Sequence, residues 1–65
     1  MNKKYWLIYY SQTESAQELT AMTVSDIHLD VWFADLINEF PEENNKLLFA
    51  IEIDEDTYNR LKDEV

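Results

Sequence analysis

Any chemistry in this chain must come from one histidine, fourteen carboxylates and scattered hydroxyls, because its 65 residues include neither cysteine nor glycine. Nucleophilic catalysis needs a Ser or Cys beside an imidazole that a carboxylate orients. His28 is the lone imidazole, and Asp26 and Asp30 flank it. It reads as a surface histidine near carboxylates. Glycoside chemistry needs two carboxylates spaced across a cleft, and so short a chain has little room for one. Without cysteine there are no thiolate metal sites, and one histidine cannot make a histidine-rich one. Asp54-Glu55-Asp56 offers dense oxygen donors but lacks the alternating layout, the glycine and the distal Glu of a calcium loop. It reads as a capped helix start whose acids complement the helix dipole. The missing glycine also removes phosphate-cradling loops. The expectation is a non-enzyme with no cofactor and no metal.

The carboxylates are left to act as charge. Against five Lys and Arg they give a formal charge of −9. Such a surface repels nucleic acid and anionic membrane and attracts basic proteins. Asp30, Asp35, Glu39, Glu42 and Glu43 are the candidate partner-binding acids, placed to pair with Lys and Arg that otherwise hold phosphates. Duplex DNA carries one charge per about 1.7 Å of axis, a density that carboxylates on a helix and turn could approximate. The competing reading is that acidity keeps an aromatic-rich mini-domain soluble.

Five elements must position these residues. Lys4 to Tyr10 is apolar or aromatic on both alternating faces, with Tyr5, Leu7 and Tyr9 on one side and Trp6, Ile8 and Tyr10 on the other. That pattern predicts a central strand covered on both faces. Ser11 to Glu18 reads as a loop, and any hairpin without glycine is expected to need more than a tight turn. Glu18 to Val24 ends in β-branched residues and is read as a strand. A helix over residues 13 to 24 is the alternative, with Ser15 and Glu18 as a capping box. Ser25 is the expected N-cap of the clearest helix, with Asp26 in its first turn. Its stripe is Leu29, Trp32, Phe33, Leu36, Ile37 and Phe40, and Pro41 ends it. Asp26 and Asp30, then Asp35 and Glu39, stand four apart on the other face, a repulsive spacing. After a turn at Glu42 to Asn45, Lys46 to Ile53 predicts a strand with Leu47, Phe49, Ile51 and Ile53 on one side. Asp54 then caps a terminal helix with Tyr58, Leu61 and Val65 as its stripe.

Together these predict a single acidic α+β domain over residues 1–65, in the order β-β-α-β-α. The expected sheet is small, antiparallel and three-stranded, in the order 2-1-3, with two helices on one face. The uncovered face would then present one of the two aromatic sets of the first strand. Trp6 and Tyr10 are taken as its partner-binding residues. In general character the chain resembles the small inhibitors that phages encode against host defence or host enzymes. That likeness implies a DNA-mimic or anti-defence protein that blocks a basic, nucleic-acid-handling target, with no direct nucleic acid binding. The alternative is a homodimeric interaction or assembly module, including an antitoxin-like neutraliser. The lack of cysteine, of a signal-peptide pattern and of a membrane-length apolar run points to a cytoplasmic protein.

Overall fold

The computed structural model describes residues 3–64. Its elements are β1 (Tyr5–Glu14), β2 (Gln17–Ser25), α1 (Leu29–Glu39), β3 (Asn44–Ile53) and α2 (Glu55–Leu61). The strands form one antiparallel sheet in the order β2-β1-β3. The fold is α+β, with the strand that carries the two-sided apolar run Tyr5–Tyr10 in the centre, as that pattern requires.

Residues 13 to 24 are strand and turn, so their β-branched residues outweigh the capping-box pattern. The predicted loop after Tyr10 does not exist. β1 continues to Glu14, which pairs with Gln17 across a two-residue turn. That turn is built without glycine: Ser15 and Ala16 both take positive φ, 50° and 69°. Two central residues at positive φ match the right-handed twist of a hairpin, and here the sequence accepts the steric cost of a Cβ at each.

Ser25, the last residue of β2, is buried there rather than capping α1. Its Oγ accepts from Ile27 N and donates to Ile27 O, each at 3.1 Å. The N-cap is His28, whose Nδ1 accepts from Asp30 N at 3.1 Å. The helix therefore starts later than the Ser-Asp signal implied. It ends at Glu39 with Phe40 in an extended φ of −126°, as the residue before a proline prefers. At α2 the expected cap holds: Asp54 Oδ1 accepts from Thr57 N at 2.8 Å. Val65 of the expected α2 stripe lies outside the described residues.

Tyr9 pairs with Phe49 but Tyr10 pairs with Leu47, so Leu48 is an extra residue on β3. This bulge reverses the alternation. Leu47 joins the Trp6, Ile8, Tyr10 side, whereas strict alternation would have put it with Phe49, Ile51 and Ile53.

The two helices do not share a face. Tyr10 meets Trp32 of α1 edge-on at 5.1 Å, and Trp6 meets His28 at 6.1 Å. Tyr5, of the opposite alternation, stacks on Tyr58 of α2 at 4.8 Å. α1 covers one face, and α2 covers one end of the other. Both faces of β1 are apolar, so placing both helices on one side would have left the Tyr5 side bare. Only Ile8 and Leu36 are buried apolar side chains among the described residues. That is a thin core for a chain with no disulfide to support it.

Candidate interaction surfaces

The first surface is acidic. Asp30, Asp35 and Glu39 lie exposed along α1, with Asp30 and Glu39 about 14 Å apart by helical rise. After Glu39 the chain turns through Pro41 to Glu42 and Glu43. Several bonds hold this turn to the sheet. Glu43 N donates to Phe40 O at 3.2 Å. Asn45 Nδ2 donates to Phe40 O at 2.9 Å and to Glu43 O at 3.3 Å. Gln12 Nε2 in turn donates to Asn45 Oδ1 at 3.0 Å.

The long β1 brings Glu14 and Ser15 opposite this turn. Between them and residues 39–43 lies an open cleft of about 350 Å³. Four carboxylates line it: Glu14, Glu39, Glu42 and Glu43. Burial, then the charge of Glu14 and a bond with it, raise the Glu43 carboxyl above the usual carboxylate value. No donor reaches Glu43 Oε2. Among the described residues no three ligand-type side chains gather closely enough to hold a metal ion.

Counter-charge is concentrated elsewhere. Lys3 pairs with Asp26 at 3.0 Å, Lys4 with Glu52 at 3.7 Å and Arg60 with Asp56 at 3.5 Å. Lys62 sits 5.9 Å from the Tyr58 ring centre. These residues surround α2 and the start of β1. Among the described residues, no Lys or Arg pairs with Asp30, Asp35, Glu39, Glu42, Glu43 or Glu14. Three of the five predicted acids thus meet in one cleft. Asp35 lies further back on α1, and Asp30 stands at its far end beside His28. Glu14 escapes sequence reasoning because its segment has the polar pattern of a loop.

The second surface is apolar. On the α2 side of the sheet, Met22, Tyr9 and Phe49 form one row across the strands, and Val24, Leu7 and Ile51 the next. Tyr9, Met22, Phe49 and Ile51 are between 36% and 52% exposed. α2 reaches the Tyr5 end and the end of β2, so Tyr9, Met22, Phe49 and Ile51 face water while Leu7 and Val24 are half-buried. Trp6 and Tyr10, expected on the uncovered face, lie on the face that α1 covers. Both are half-buried against α1, and the Trp6 indole N–H is enclosed without an acceptor. The open aromatic is Tyr9. A helix whose apolar stripe carries Trp32 and Leu36 must lie on some face, and periodicity alone does not say which.

No helix among the described residues is long and apolar enough to cross a membrane. No protein-family model, curated protein or solved structure matches the chain.

Proposed function

We propose that this chain is a binding protein whose carboxylate-lined end engages a basic protein surface. The surface it fits is one whose Lys and Arg otherwise hold nucleic-acid phosphates, which makes the chain an inhibitor by charge substitution. The observation that carries this reading is the segregation of charge. Among the described residues the cleft carboxylates lack counter-ions, while four of the five Lys and Arg gather around the other end. An incoming Lys or Arg would relieve repulsion that the free protein bears, which steers a basic partner to this end and selects it over others. Glu43 would bind such a cation only as its carboxylate, so partner binding tightens as pH rises through its raised value.

The test is capture from cell lysate on the immobilised chain at low and at high salt, with mass spectrometry of what is retained. The control bait carries Glu39→Gln, Glu42→Gln and Glu43→Gln. One basic nucleic-acid-binding protein should be retained, released by salt and lost on the control bait. Capture that survives both salt and the control would refute the reading. A second reading, an interaction module whose acidity serves solubility, is favoured by the open apolar rows of the sheet.

A further inference from the structure

We infer that the open apolar face of the sheet is covered by a second copy of this chain, packed sheet to sheet about a two-fold axis along the Met22–Tyr9–Phe49 row. This interface is separate from the acidic cleft and does not depend on its function.

The amount of exposed surface is the first reason. The chain exposes 4902 Å², whereas a compact monomer of its 7.8 kDa would expose about 4,400 Å². The excess is of the order of the roughly 800 Å² that each partner loses in a standard interface. Two buried apolar side chains among the described residues are also too few for a chain of this length to be expected to stand alone.

The chemistry of the face selects the occupant. Its two rows hold six apolar side chains, four of them exposed, and no charge. The next row, Thr20–Ser11–Lys46, carries a cation that has no carboxylate within 4 Å among the described residues. A basic partner is repelled there. A two-fold axis along the middle row sets strands antiparallel and β3 over its counterpart. Lys46 of one copy then lies over the Ile51 end of the other, towards Asp54 and Glu55 at the start of α2. The same charge match recurs at the symmetric position, as a two-fold contact requires. α2, which already covers the Tyr5 end, would abut the partner's hairpin rather than block the apolar rows. α1 lies on the far face of each sheet, so each copy keeps its acidic helix and cleft outward.

The experiment is sedimentation equilibrium of the full chain across a concentration series, with cysteine crosslinking in a chain that has no cysteine of its own. The expected mass is twice 7.8 kDa. Phe49→Lys should halve it while the far-UV circular dichroism stays unchanged, and Lys46→Glu should weaken association at least tenfold. Packed sheets lie about 10 Å apart, beyond disulfide reach, so a bifunctional thiol crosslinker of that span should link Phe49→Cys, on the self-facing row, into a dimer. Val31→Cys, exposed on α1, should stay unlinked. The crosslinks keep the test open if Phe49→Lys fails to fold. A monomer mass at every concentration overturns the inference, as does crosslinking through Val31 in place of Phe49. Charge neutralisation in the cleft should leave the mass unaltered, so failure of the charge-substitution reading would be seen separately.

Discussion

Replacing Ala16 by glycine should stabilise this protein, although glycine usually weakens a fold. Ala16 sits at φ 69° in the hairpin turn, with Ser15 beside it at 50°. A Cβ in the left-handed region costs roughly 1–2 kcal/mol, because it crowds the following carbonyl. Glycine removes that cost but gives the unfolded chain extra freedom, worth about 0.5–1 kcal/mol. The balance favours Ala16→Gly by about 0.5–1 kcal/mol. For a domain of this size 1 kcal/mol moves Tm by roughly 4–8 °C. The expected rise is therefore about 2–8 °C. The control is the same substitution at exposed Ala34 within α1. There φ is helical, and glycine should cost about 1 kcal/mol. Thermal melts by circular dichroism at pH 7 would read both, at one fixed protein concentration because association shifts Tm. Opposite signs at the two sites support the turn geometry. An Ala16→Gly variant that melts at or below the parent refutes it.

Two further predictions concern the core and the cleft. Leu36→Ala should cost about 2–5 kcal/mol, comparable to the whole stability of a domain this small. Its proton NMR spectrum at 25 °C should lose the dispersion of the parent, and a dispersed spectrum would show that Leu36 is not central. Glu43→Gln should raise Tm at pH 7. The folded carboxyl has a raised pKa, so the native state holds this proton more tightly than the unfolded chain. The parent's stabilising proton is present at acid pH and lost as pH rises through the folded value. The gain in Tm should therefore shrink as pH is lowered through that value. A gap independent of pH would rule out burial and the Glu14 charge as its cause.

Much of this fold was legible because its signals are local. The two-faced apolar run predicted the central strand, and helical spacing from Leu29 to Leu36 predicted α1. What went unread depends on contacts between elements. The bulge at Leu48 follows from how β3 meets Tyr9 and Tyr10, and nothing in Asn-Lys-Leu-Leu-Phe marks it. The tight turn was rejected for want of glycine, yet a long ladder running to Glu14 and Gln17 can hold Ser15 and Ala16 in an unfavourable region. Ser25 carried the cap signal, but its hydroxyl bonds locally to Ile27 at the strand end, and His28 caps the helix instead. The acidic site was half legible, since composition and helical spacing supply Asp35, Glu39, Glu42 and Glu43. Glu14 enters only through the hairpin. For the apolar site, the sequence offered two aromatic sets, and the ring contacts of Trp32 and Tyr58 decide that Tyr9 is left open.

The two proposed surfaces respond to salt in opposite directions. Binding of a basic partner at the carboxylate cleft draws on attraction between unlike charges, so it weakens as the screening length falls from about 30 Å at 0.01 M to about 10 Å at 0.1 M. Self-association joins two chains that each carry −9. Its contact rows are uncharged, and the two Lys46 contacts offset only part of the net repulsion. Screening should therefore favour the dimer, and salts that strengthen apolar burial should favour it further. A chain that turned to its partner at low salt and to itself at high salt would use the two faces of one sheet independently. The geometry allows this, because α1 and the cleft stay clear of the apolar rows. If both associations weakened together, the charge match at Lys46 would have to outweigh apolar burial, and the dimer face would be electrostatic in origin.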